Sequence, residues 1–203
     1  MAVTDSTASE PRHRLLEGLA QAVAAKGYAD TTIADIVREA GVSRRTFYEH
    51  FAGKPEALIA LYEAASHNAL RVLREAIDPA HDWQAQVEQA MTAYLDCLAQ
   101  NPVLLRTLFI DILGLGAPGL AARRRVNEEI ARFMGAVINA GQPRPVLDSG
   151  LAMAVVGGIH ELVLQAVEQQ RLAAALPELA ALTGRLVRAV VQGEGRARIS
   201  PWS

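Results

Sequence analysis

Apolar residues along this chain recur at intervals of three and four, the period of a helix face, and the short alternations that mark strands are scarce. Leu16, Leu19, Ala20 and Val23 line one side of a predicted helix from Pro11 to Lys26, with Gly27 as its stop. Ile33, Ile36, Val37 and Ala40 form the stripe of a second, capped by Thr32 with Asp35 at the capping-box position and closed by Gly41. The third runs from Arg44 to about His50. Ser43 is its natural N-cap, and Val42 and Phe47 stand at the two positions of a hydrophobic staple. On the wheel of this short helix Phe47 and Phe51 face inward, which leaves Arg45, Thr46 and Glu49 on the far side and Arg44 and Tyr48 on the flank.

A helix of roughly six turns follows, begun by Gly53 and Pro55 and ended by Asp78-Pro79, and is expected to connect two domains. Further helices are expected near 81–100, 102–113, 118–140, 146–170 and 177–192, delimited by Asn101-Pro102, Gly116 to Pro118, the GQPRP run and Pro177. The pattern therefore predicts an all-α chain of about nine helices. Its domains are expected to be a mobile arm over 1–11, a three-helix unit over 12–57 and a larger helical unit over 58–203.

Composition narrows the choice of function. The 203 residues are 51% apolar and 21% charged, which suits compact domains and excludes a disordered polymer. The formal net charge of −2 advertises neither nucleic acid nor membrane, so either partner would have to be recognised locally. Residues 12–54 hold seven Arg and Lys against five Asp and Glu, whereas 55–203 hold thirteen against fifteen, so the small N-terminal unit is the basic one. Cys97 is the only cysteine, which excludes an intramolecular disulfide and suits a reducing cytosol. The N-terminus lacks the apolar core of a secretory signal, and a cytoplasmic protein without membrane attachment is expected.

The second and third helices, joined by Gly41-Val42, make a helix-turn-helix. Such a helix fits the DNA major groove, where its first residues meet base edges and arginine can donate two parallel hydrogen bonds to guanine. Arg44, Arg45 and Thr46 occupy that end, beside the Ser43 cap. Tyr48, His50 and Lys54 offer donors to phosphates, and the helix start at 53–56 adds backbone N–H groups that favour an anion. Solvated surface arginines and a packed tyrosine are the plainer alternative.

The stretch "GYADTTIADIVREAGVSRRTFYEHFAGKPEAL", residues 27–58, resembles the DNA-binding domain of the tetracycline-repressor-like (TetR) family of bacterial transcriptional regulators. The resemblance lies in Gly-Tyr ahead of the second helix, Thr-Thr-x-x-x-Ile at its cap, Ala-Gly-Val-Ser at the turn, Phe-Tyr-x-His-Phe in the third helix and the lysine before the fourth. It implies that Arg44, Arg45 and Thr46 enter the groove, that Tyr48, His50 and Lys54 meet the backbone, and that Thr32 also touches a phosphate. Glu49, whose charge is unwelcome near phosphates, either accepts from a cytosine amino group or points to solvent or a neighbouring arginine, and solvent is the favoured expectation.

The resemblance also implies a homodimer on a palindromic double-stranded operator and a C-terminal effector domain. Residues 151–167 are apolar nearly all round, with Gly157-Gly158 allowing close approach, and 179–191 gives a second stripe. Val155, Ile159, Leu162, Val163, Leu182, Leu186 and Val190 are the expected dimer seam, unless they fill the protomer's own core. Met91, Tyr94, Leu98, Phe109, Leu113, Phe133, Met134 and Met153, with His160 as a polar contact, are the candidate walls of a pocket for a small, mainly apolar effector. Only five aromatics follow residue 62, which argues for an aliphatic ligand.

Other motifs lose on inspection. Gly114, Gly116 and Gly119 spell G-x-G-x-x-G, but no βαβ pattern surrounds them. "HELVL" from His160 lacks the second histidine of a zinc protease, since Leu164 stands in its place. No metal, cofactor or catalytic group is expected. The competing reading is an all-α small-molecule-binding protein or enzyme without sequence-specific DNA binding.

Overall fold

A computed structural model describes residues 5–140 and 142–197. Among these residues there are nine α-helices and no strand: α1 (Asp5–Asp30), α2 (Ile33–Ala40), α3 (Arg44–His50), α4 (Lys54–Glu75), α5 (Trp83–Ala99), α6 (Pro102–Arg106), α7 (Ala117–Asn139), α8 (Ser149–Glu168) and α9 (Leu172–Ala197). A π-helical turn over Thr107–Asp111 and a 3-10 turn over Leu113–Leu115 follow α6, so the predicted helix at 102–113 changes its winding partway.

Two boundaries differ from the sequence pattern. The arm expected over 1–11 is helical from Asp5, and its first four residues lie outside the described ones. Once the body of α1 has nucleated, each added residue gains a hydrogen bond, and Pro11 removes only one. Likewise α9 starts at Leu172, five residues before Pro177, because Leu172 and Ala175 are buried and hold the turn ahead of the proline.

The chain forms two compact units, one of residues up to 66 with 101–122, the other of 67–100 with 123 onward. Helix α4 contributes to both. In the first unit Leu15, Leu16, Leu19 and Val23 of α1 meet a core completed by Ile36, Ala40, Phe47, Phe51, Leu58 and Leu61. Residues of α6 and the π-helical turn also pack on α1, burying Leu105, Leu108 and Ile112.

Helices α1 and α2 approach so closely at Gly18 that a Cβ there would lie 2.7 Å from both the Ala40 nitrogen and the Ile36 oxygen. Gly41, at φ 63° and ψ 36°, ends α2 in the left-handed region. Its N–H bonds the Arg38 carbonyl, and the next N–H, of Val42, bonds that of Val37. This is a Schellman closure, and it turns the chain sharply into α3.

The second unit packs α5, α7, α8 and α9 with the end of α4. Val155, Val156, Ile159, Val163 and Ala166 of α8 are buried among Leu70, Leu95, Ile138 and Val187. An ion pair between Arg188 and Glu88 joins α9 to α5. Asn139 clamps the link before α8: its amide donates to the Leu147 carbonyl at 2.9 Å and accepts from the Val146 and Leu147 N–H groups at 2.8 and 3.0 Å. Helix α8 is long and apolar enough to cross a membrane by length and composition alone, and part of that apolar surface is buried in this unit.

Gly18→Ala would normally favour a helix by about 1 kcal/mol. Here it is expected to lower the unfolding free energy by about 2 kcal/mol, because backbone atoms of α2 occupy the space the methyl needs. Urea unfolding followed by circular dichroism measures the sign directly.

Candidate nucleic-acid interface and buried cavity

Helix α3 has seven residues, too few to persist alone in water. Ser43 caps it by accepting the Thr46 N–H at 3.0 Å, and its Oγ lies 2.9 Å from the Thr46 hydroxyl. Phe47 is fully buried and Phe51 nearly so, their ring centroids 5.7 Å apart. Arg12 of α1 lies over the Phe51 ring, 5.5 Å from its centroid. Every predicted base-reading residue then falls on the outer side: Arg44 and Arg45 are exposed and Thr46 is half-buried.

Tyr48 is 59% exposed, with its ring edge-on to Phe47 at 5.5 Å. That contact restrains the ring while its hydroxyl is presented outward. Glu49 is exposed and accepts from the neighbouring Arg45 Nε at 3.0 Å. An exposed pair of this kind contributes about 0.3–0.5 kcal/mol, so it orients Arg45 without holding it against a stronger partner. His50 is half-buried at the end of the same helix.

Lys54 has structural work that sequence alone did not disclose, and Thr32 has the work its capping position predicted. The Lys54 ammonium donates to the carbonyls of Tyr28 and Thr31 at 2.8 Å each, lies 3.4 Å from that of Ala29, and sits 4.3 Å from the centroid of the Tyr28 ring. It caps the carbonyl end of α1 from the start of α4, and burial pushes its pKa below the ordinary lysine value. Thr32 donates its N–H and hydroxyl to Asp35 at 2.9 and 2.6 Å, completing the predicted capping box.

Asp35 also accepts from Lys26 and, at 3.1 Å, from Arg38. Lys26 and Thr32 together hold the Asp35 carboxyl far below the usual carboxylate range. At the start of α4, Glu56 accepts the Ala52 N–H at 2.6 Å, so a carboxylate already stands where the sequence suggested room for an anion.

In the second unit Leu73, Ile77, Val87, Ala90, Met91, Tyr94, Ile130, Phe133, Met134, Val137, Val156, Ile159 and His160 line a cavity of about 50 Å³. Met91, Tyr94, Phe133, Met134 and His160 of the predicted walls come together there. Leu98, Phe109, Leu113 and Met153 do not: Leu98 is half-exposed elsewhere on α5, Phe109 and Leu113 belong to the first unit, and Met153 borders a shallow depression beside Asn139 and Asp148. Leu73, at the end of α4, and Ile77, just beyond it, were missed.

The Tyr94 hydroxyl lies 3.0 Å from His160 Nε2, and both side chains are buried. Burial, with the nearby positive charge of Arg123, lowers the His160 pKa to about 4, so the ring is neutral at pH 7. Cys97 is half-buried, and desolvation raises its thiol pKa away from reactivity.

The expected dimer residues divide. Val155, Ile159 and Val163 are buried inside their own protomer and cannot form a seam, because their inward phase on α8 fills the unit's core. Leu162, Leu182, Leu186 and Val190 remain half-exposed. Gly158 faces α9 of the same chain, where an added Cβ would lie 3.6 Å from Leu186.

Residues 15–61 match the family described as bacterial regulatory proteins, tetR family. The chain is 31% identical over 123 residues, 61% of its length, to the HTH-type transcriptional regulator SrpR of Pseudomonas putida, and these cover 56% of that protein. It is also 31% identical over 123 residues to the HTH-type transcriptional regulator TtgW, from a strain of the same species, covering 61% of this chain and 89% of TtgW. The match thus spans just over half of one relative and most of the other. The transcriptional regulator FadR from Bacillus subtilis, solved in complex with stearoyl-CoA, shares the fold with a TM-score of 0.62 at 19% identity, over 89% of this chain and 98% of that one.

Lys54→Met is expected to lower the unfolding free energy by about 1–2 kcal/mol, since carbonyls at the end of α1 lose their charged donor. Unchanged stability with weakened DNA binding would return Lys54 to a phosphate-contact role. His160 carries a pH signature. Its folded pKa lies below its unfolded value of 6.5, so the unfolded chain takes up the proton first and acid weakens the fold. Between pH 7 and pH 5 the wild type is expected to lose about 2 kcal/mol more than His160→Phe, measured by urea unfolding at the two pH values.

Proposed function

Since the chain belongs to the tetR family of bacterial regulatory proteins and is a DNA-binding transcriptional regulator rather than an enzyme, we propose that it acts as a homodimeric repressor released from a palindromic operator by a small apolar effector. The observation that carries this reading is the division of α3 into two sides. Phe47 is buried completely, while Arg44, Arg45 and Tyr48 stand exposed on the same seven residues. Arg44, Arg45 and Thr46 read base edges from the N-terminal end of α3, with Ser43 at the cap beside them. Tyr48 and His50 meet the phosphate backbone. Arg45 exchanges its weak pairing with Glu49 for a guanine edge.

A single reader of this size covers too few base pairs for useful affinity, so two copies bind half-sites related by a two-fold axis. The half-exposed row Leu182, Leu186 and Val190 on α9, with Leu162 on α8, supplies an apolar face for the second copy. The effector occupies the cavity around Tyr94 and His160. Support for an effector with an extended apolar part comes from the lining itself and from the stearoyl-CoA held by the B. subtilis FadR structure. The effector releases DNA by binding more tightly to a dimer whose readers are wrongly spaced, and linkage makes operator and effector weaken each other equally. The protein works in the cytoplasm, where operator DNA is found.

Selection of the purified protein on random-sequence duplex DNA is expected to enrich a two-fold-symmetric site, with affinity falling steeply as salt rises. Arg45→Ala is expected to weaken binding by about 1–3 kcal/mol and to relax preference at one base position per half-site. Tyr48→Ala is expected to weaken binding with little change in sequence preference. Both variants should stay folded, since both side chains are exposed and lose only the Arg45–Glu49 pair or the Tyr48–Phe47 ring contact; failure to enrich any symmetric site would sink the operator assignment.

A further inference from the structure

The cavity wall in the second unit has an unusual chemical balance. Eleven of its thirteen lining residues are aliphatic, thioether or phenyl side chains, and the other two are Tyr94 and His160. None of the lining residues is Asp, Glu, Lys or Arg. An ion moved into such a wall loses its hydration without gaining a counter-charge, whereas a single neutral oxygen needs only one hydrogen-bonding partner.

Phenol and imidazole together supply that partner in either sense. A neutral ring can accept from the Tyr94 hydroxyl at Nε2, or donate from Nε2 to the phenol oxygen in the other tautomer. Either way the pair presents one polar point in the wall, at which a ligand oxygen can be seated. Because His160 is held neutral at pH 7, it offers no positive charge to a carboxylate. Arg123, which bears on His160 electrostatically, is absent from the wall itself, so its field favours a partly negative oxygen and opposes an ammonium group without providing a direct ion pair.

The space is small, about 50 Å³, but its walls are adaptable. Met91 and Met134 are unbranched and can repack around chains of different length. Ile77, Phe133 and Val137 line the cavity on one side and, on the other, an open depression bordered by His81, Asp82, Trp83 and Gln86. Displacing Phe133 would let an alkyl tail extend towards that depression, beside a tryptophan whose emission would report it.

We propose that this cavity selects an uncharged, largely aliphatic ligand with one hydrogen-bonding oxygen seated at the Tyr94–His160 pair, such as an alcohol, ketone or ester, and discriminates against carboxylates and ammonium ions of the same chain. The proposal rests on the reading of the second unit as the effector domain, and it specifies the effector's chemical class.

The test is isothermal titration of the full chain at pH 7 with octanol, octanoate and octylammonium, with tryptophan emission followed in parallel in Trp202→Phe, which leaves Trp83 as the emitter. Octanol is expected to bind about tenfold or more tighter than either ion, a difference of about 1.4 kcal/mol or more. Tyr94→Phe, which keeps the ring and removes the hydroxyl, is expected to weaken octanol several-fold while thermal unfolding confirms the fold. His160→Phe is the second variant, with the same expectation for octanol. Octanoate binding as well as octanol, octanol affinity unchanged in both folded variants, or no binding of any probe would each overturn the proposal. Operator binding by the same preparation separates the two levels: a protein that binds its operator but fails the octanol test loses only the ligand assignment, whereas octanol selectivity without an operator leaves the cavity reading standing and removes the repressor.

Discussion

A helix of seven residues cannot hold itself in water, and that constraint organises the whole reader. Phe47 resolves it by burying its ring against the core of the first unit, while Ser43 and Phe51 secure the two ends. With one face committed to the core, every donor elsewhere on α3 must face outward. The binding surface is a consequence of the anchor, because the residues that could read DNA are those the core does not use.

The anchor works only if the core beneath it is rigid. Gly18 lets α1 and α2 meet at backbone distance, and Asp35 ties the two helices through Lys26 while closing the capping box with Thr32. Lys54 reaches back from α4 to the carbonyl end of α1. These polar groups belong to the same unit as α3, yet their hydrogen bonds are internal. Positive charge near that face is therefore of two kinds: Arg44 and Arg45 are exposed and able to move, whereas Lys54 is committed to the fold.

The second unit uses its polar groups sparingly. Helix α8 places Val155, Val156, Ile159 and Val163 in the core, and among them a single histidine that burial keeps neutral. Placing that ring beside Tyr94 satisfies a hydrogen bond that would otherwise be costly to lose inside an apolar region, and it makes the cavity's chemistry polar at one point only. The half-exposed leucines of α8 and α9 lie on different phases of the same helices, so one element can serve the interior and offer an apolar face outward.

The sequence by itself determined what depends on nearby residues. The capping box at Thr32 and Asp35, the Gly41 closure, the Ser43 cap and the inward phase of Phe47 and Phe51 are all fixed by spacing within one or two turns, and each stands where the pattern predicts it. The period of three and four likewise settled the all-α class. What tertiary structure alone decided depends on partners distant in the chain: that Lys54 bonds carbonyls more than twenty residues away, that 101–122 belongs with the first unit, that Val155, Ile159 and Val163 fill their own core, and that Tyr94 meets His160. A helical wheel shows which residues share a face but not what that face meets. Two apolar faces on α8 look alike in sequence, and only packing decides which of them is buried.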